Sequence, residues 1–205
     1  MQEILDGVVH WSAVHPNIRQ RVSSYFVPAA GALIDPLAPE EGVDAVARFG
    51  EPSVVLLTNR HHLRHAERFR DAFGCLIRCH EAGLHEFEGR DGLEVEGFAW
   101  GDEVAPGIRA LEVDALCAEE TALHIDAGPV AVAIADAVVR WRWDDELAFV
   151  PDSLIGDDPA AVKRDMSAAL ARIAREERFD ALLLAHGEPI ASGAREALAR
   201  FADAG

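Results

Sequence analysis

Three short apolar runs restrict what this chain can become: "SVVLL" at 53–57, "VAVAIA" at 130–135 and "DALLLA" at 180–185. Each is of strand length and bounded by turn or polar residues, so each reads as a strand rather than a piece of helix. None approaches the ~20 apolar residues of a membrane span. Each also gives way at once to side chains that carry chemistry: Thr58 and Asn59, Asp136, and His186. The remaining segments have to be compatible with three strands that end in polar groups.

Ahead of the first run, "GVVHWSAVH" and "VSSYFVPAAGALIDP" are rich in β-branched and aromatic residues, and "PAAG" supplies a turn, so an antiparallel beginning is expected. "PEEGVDAVARFG" places Val43, Val46 and Ala47 at helical spacing before Gly50. From His62 to Phe73, Leu63, Ala66, Phe69 and Phe73 recur at steps of three and four, which predicts an amphipathic helix stopped by Gly74. The runs "CLIRCH", "LEVEGFAWGDEV", "GIRALEVDAL" and "TALHID" form a second block of strands. Asp158 and Pro159 then open a long helix through "AAVKRDMSAALARIAREE", and a last helix runs from Ser192 to Phe201. Two sheets with helices on their outer faces, an α/β sandwich, satisfy this order. No repeat or linker divides the chain, so residues 1–205 are expected to form a single domain.

Composition narrows the partners. A net charge of -17 repels phosphate backbones, and "RHHLRHAERFR" is too short a basic cluster to overcome that field, so nucleic acid is not an expected partner. Cys75, Cys79 and Cys117 cannot all pair with one another and form no CxxC. The N-terminus has neither a basic leader nor a long apolar core. A cytoplasmic chain with idle thiols, and with no membrane partner, is the expectation.

The ordered set "GALIDP", "SVVLLTNRHHLRHAERF", "GDEV", "TALHID", "VAVAIADAVVRW" and "LLLAHGEPI" resembles the metallo-β-lactamase-like superfamily, over nearly the whole chain from about Gly31 to His186. That resemblance implies a four-layered αββα sandwich: two mixed β-sheets with helices on the outer faces. In the family a strand delivers a threonine and then His-x-His-x-Asp-His at the start of a helix. A later strand ends in an aspartate that bridges two metals, and a last strand ends in a histidine, commonly followed by glycine. Laid residue on residue from Thr58, Asn59 stands at the first histidine and His61 at the second, while Leu63 and Arg64 replace the aspartate and the last histidine. Asp136 falls at the bridging carboxylate, and His186 at the last histidine, before Gly187. A further family histidine has no counterpart, because Cys117, Ala118, Glu119 and Glu120 occupy its place.

The resemblance therefore implies His61, Asp136 and His186 as metal ligands, with at most one tightly bound ion, zinc or another divalent metal. A bound water with a pKa lowered toward ~7 would attack an ester, thioester or lactone-type carbonyl. Asn59 and Arg64 border that set. His62 and His65, three apart on the expected first helical turn, share a face and are auxiliary ligands. The alternative is a catalytically inactive member, with no metal, that binds a small anion at Arg60, Arg64 and the helix N-terminus or serves a structural role. The partner is accordingly a small-molecule substrate or anion, and a homo-oligomer is compatible with the sequence. Asp35, in "LIDP", reads as a turn former. Trp141 and Trp143, flanking Arg142, read as packing residues on one strand face. His80 and His85 fall in a loop able to overhang the site, His124 reads as a solvent-facing strand residue, and His10 and His15 have no constellation around them.

Overall fold

The computed structural model describes residues 1–128, 130–141 and 146–205. A seven-stranded sheet follows chain order: β1 (Gln2–Leu5), β2 (Val8–Val14), β3 (Arg21–Val27), β4 (Ala32–Ile34), β5 (Val54–Leu56), β6 (Leu76–His80) and β7 (Glu96–Phe98). Its first four strands pair antiparallel and the last four pair parallel. A five-stranded sheet holds β8 (Glu103–Ala105), β9 (Ile108–Glu112), β10 (Thr121–Asp126), β11 (Val130–Ile134) and β12 (Ala181–Leu184), in the spatial order β12-β11-β10-β9-β8. Only its β11–β12 pairing is parallel. Both sheets are thus mixed.

Side-chain alternation divides the core into layers. Ala181 and Leu183 of β12 join Tyr25, Ile34, Leu56 and Leu123 in the interior between the sheets. Leu182 and Leu184 point the other way, toward α2 (Pro159–Glu176) and α3 (Ala194–Ala204), and pack with Leu170, Ile173 and Leu198. On the opposite outer face, Phe26, Leu33, Val55 and Leu57 meet Ala66 and Phe69 of α1 (Ala66–Phe73). The order is helix, sheet, sheet, helix: the expected four-layered αββα sandwich. The run "DALLLA" carries no polar alternation because β12 is covered on both faces.

Several local expectations shift. The segment around Val43 forms a 3-10 helix, Val43–Arg48, rather than an α-helix. β1 carried no sequence signal of its own. The helix expected from His62 begins only at Ala66, after a separate 3-10 turn at Arg60–Leu63. Arg64 breaks the two apart at φ +42°, with its guanidinium bonded to the carbonyls of Ser23 and Asp35 and the His65 N–H turned to Pro36 O. His62 and His65 therefore do not share a helical face. At the other end α1 stops as expected, with Gly74 left-handed at φ 71°. Asp158 caps α2 by accepting from the Ala161 N–H at 3.0 Å. Trp141 lies in a turn, whereas Arg142 and Trp143 fall outside the described residues. Among the described residues no helix is long and apolar enough to cross a membrane.

Candidate metal centre

The site forms where β4, β5, β11 and β12 end, and each strand hands over one polar group. Just past β4, Asp35 is buried, and its two oxygens are used at once. Oδ1 accepts the Thr58 N–H at 2.9 Å, and Oδ2 accepts the Thr58 hydroxyl at 2.5 Å and faces His62 Nδ1 at 2.9 Å. Past β5, Asn59 caps the 3-10 turn by accepting the His61 N–H at 2.9 Å, and the turn carries His62 inward at its third position. Past β11, Asp136 is held by its own N–H and that of Ala137, which donate to Glu120 Oε1 at 2.9 and 2.6 Å. Past β12 comes His186, whose carbonyl accepts the Arg140 N–H at 2.9 Å.

These pieces converge. Ligand atoms of His62, Asp136 and His186 all lie within 4.8 Å of one another. His62 Nε2 is 3.5 Å from Asp136 Oδ2, and His186 Nε2 is 3.3 Å from Asp136 Oδ1. Asn59 donates its amide to Asp136 Oδ2 at 3.0 Å. Asp136 Oδ1 is buried and accepts no hydrogen bond, a costly state for a carboxylate oxygen unless a cation meets it.

The electrostatics follow from the geometry. Burial pulls the His62 imidazole down, but the Asp35 and Asp136 carboxylates on either side outweigh it and raise its pKa to about 9. Burial pushes the Asp136 carboxyl up, yet His62 and His186 hold it well below the usual carboxylate range. Asp35 is likewise held low against its burial by His62, Arg64 and Thr58. Glu120 goes the other way: burial and the neighbouring Asp136 push it up to about 8. Burial raises all three thiols, Cys75 to about 11, Cys79 to about 12 and Cys117 further, so none is a ready nucleophile.

Asn59, His61, Asp136 and His186 do border one cleft, of about 640 Å³, as their strand ends imply. The sequence alignment put His61 in the ligand set, whereas the structure brings His62 into the cluster and leaves His61 exposed at the rim. The cause is the 3-10 turn, whose tighter winding points the third residue rather than the second at Asp136. His65 is also outside the cluster, with its Nδ1 accepting the Ala38 N–H at 3.1 Å. Arg64 does not pair with Asp136 by hydrogen bond; its guanidinium reaches Ser23 O at 2.6 Å, Asp35 O at 2.7 Å and Ala185 O at 3.4 Å.

Asp35 is no mere turn former, since it aims His62. Its signal was its place at the end of β4, beside the strand bearing Thr58. Glu120 gave no signal that separated it from its neighbour Glu119, which pairs with Arg60 instead. His15 lines the cleft as well. His80 stacks on Trp100 at 4.2 Å and borders no part of the cleft described, nor does His85. His124 is partly covered by a contact to Arg178 O, and His10 is buried against Tyr25.

The donor set fits one divalent ion. Two imidazole nitrogens and a carboxylate with an unpartnered oxygen suit zinc or iron chemistry, and Asp35 holds a proton on His62 Nδ1 so that Nε2 is the ligating atom. Among the described residues no second group of donors gathers beside it: Leu63 offers none, and the Arg64 guanidinium is tied to three carbonyls.

No family model matches the sequence, and no curated protein does. Solved structures do match in fold. A di-iron-bound form of TTHA1623 superimposes with a TM-score of 0.65 at 19% identity, over 87% of this chain and 93% of that one. A B3 metallo-β-lactamase described as having an active-site glutamic acid gives 0.64 at 13% identity, over 98% and 85%. A point mutant of a flavo di-iron protein from Thermotoga maritima gives 0.67 at 12% identity, where 95% of this chain spans 57% of that one. The chain has the metallo-β-lactamase fold. Two of these three fold neighbours are described as di-iron proteins and one as a β-lactamase, so the fold alone does not fix the reaction.

Proposed function

We propose that this protein is a one-metal hydrolase, in which His62, Asp136 and His186 hold a single divalent ion, zinc or another, and the substrate is an ester, thioester or lactone-type carbonyl compound. The observation that carries the reading is the convergence of three ligand atoms within 4.8 Å at a cleft, on a carboxylate oxygen that no hydrogen bond satisfies. An ion held there supplies a water of lowered pKa and polarises a carbonyl oxygen. The chain's own residues do the rest. Asp35 and Thr58 fix the His62 tautomer, Asn59 donates to the Asp136 carboxylate, Glu120 accepts the backbone N–H groups of Asp136 and Ala137, and the Gly187 turn presents His186.

A second reading, an inactive family member that binds a small anion or serves a structural role, is favoured by one observation. His62 between two carboxylates, with Arg64 beside them, balances the charge of the cluster without any ion. Elemental analysis of protein purified without added metal separates the two. The hydrolase reading expects up to one equivalent in the wild type and in His61→Ala, and loss in His62→Ala, Asp136→Asn and His186→Ala. Equal metal in every variant, or two equivalents held through dialysis against a chelator, refutes the ligand set. A chain that takes up no metal when zinc, manganese and iron are supplied favours the anion reading.

A further inference from the structure

The cleft above the proposed centre has two unlike halves. Its inner wall is polar: His15, Arg60, His61 and Arg64 surround the His62–His186 pair, with Arg60 paired to Glu119 and Arg64 bonded to backbone carbonyls, and Asp136 is the sole acidic residue among the described lining. Its mouth is apolar. Ile18, Trp141 and Leu154 are 51%, 44% and 61% exposed and all line this cleft, backed by Leu116 and Val150. They come from three separate loops, between β2 and β3, after Val139, and in the 3-10 turn Asp152–Leu154. Five large hydrophobic side chains are exposed among the described residues, and three of them gather here, so the patch is not scattered surface.

We infer that the cleft takes a medium-chain carboxylic acid or its ester or thioester, with the carbonyl end at the centre and the alkyl chain against Ile18, Trp141 and Leu154. The assignment names the substrate class of the proposed hydrolase site and in that sense rests on it. Polarity decides the orientation, because a carboxylate or carbonyl oxygen meets the polar wall and the proposed ion while the apolar mouth offers nothing to a polar tail. A volume of about 640 Å³ lies within the range of small-molecule sites.

The test is calorimetric titration of the intact protein with octanoate, acetate and octylamine, with metal content measured on the same samples. Octanoate is expected to bind at least about tenfold tighter than acetate, the effect of burying about two methylenes, and tighter than octylamine. Ile18→Asp and Leu154→Asp, both exposed positions whose replacement leaves the core intact, should each weaken octanoate about tenfold without altering the circular dichroism. Octanoate no tighter than acetate refutes the alkyl site, and octylamine equal to octanoate refutes the orientation. Conversion of a dimer to a monomer by either variant, with octanoate binding unchanged, shows that a second copy covers the mouth and overturns the assignment. Retained metal with no chain-length preference sinks this inference and leaves the hydrolase reading standing. A chain-length preference without metal does the reverse.

Discussion

Raising the pH should push metal-free and metal-bound protein in opposite directions, and His62 is the reason. Its pKa rises from an ordinary 6.5 to about 9, since burial is outweighed by Asp35 and Asp136. The folded state therefore holds a proton that the unfolded state has released. The stability this confers is fully present below pH 6.5 and is lost as pH climbs through 9, with a magnitude of about 3 kcal/mol. Glu120, raised to about 8 from 4.5, adds a slope of the same sign that begins at lower pH. Metal binding has the contrary dependence, because an ion on Nε2 must displace that proton. Apparent affinity should rise about tenfold per pH unit from about 7 to about 9. The assay is urea unfolding of chelator-treated protein at about pH 6 and about pH 9, beside zinc titrations at the same values. His62→Gln should lose the His62 share of the stability slope. Wild-type stability that stays level or increases from pH 6.5 to 9, or a His62→Gln slope equal to the wild type's, would refute the reasoning.

Asp35→Asn should lower metal affinity about 10- to 100-fold, measured by competition with a chromophoric chelator, because His62 Nδ1 loses its carboxylate acceptor. Arg64→Met should cost about 3 kcal/mol or more in chemical unfolding, since the carbonyls of Ser23, Asp35 and Ala185 lose a buried donor. Arg64→Lys should recover only part, as one ammonium does not span the three positions. Gly187 sits at φ +104°, and a Cβ there would collide with the Arg140 side chain and backbone, so Gly187→Ala should destabilise by about 2 kcal/mol or more and reduce bound metal by displacing His186. Thermal melts and metal analysis of the same preparation check both parts.

The architecture was legible because it rests on pattern. "DALLLA" and "VAVAIA" are apolar without alternation, which is what strands covered on both faces require, and their last residues place Asp136 and His186 at strand ends. The helix capped by Asp158 and the stop at Gly74 were legible for the same local reasons. The first motif was not read to the residue. His61 and His62 are neighbours of identical chemistry, and an alignment by residue count assumes that the turn between strand and helix winds as in the family. Here Asn59 caps a 3-10 turn, and the main helix waits until Ala66.

The sequence by itself determined most of the elements, the negative net charge and the placing of Asp136 and His186 at strand ends, because apolar patterning and strand length are set by residues close together along the chain. Tertiary structure alone decided that His62 is the third member. Asp35 is 27 residues away in sequence and Asp136 is 74 away, and only their meeting across two sheets gives that imidazole a carboxylate at each nitrogen. Its neighbour His61, with the same intrinsic chemistry, is turned out to the solvent-exposed rim.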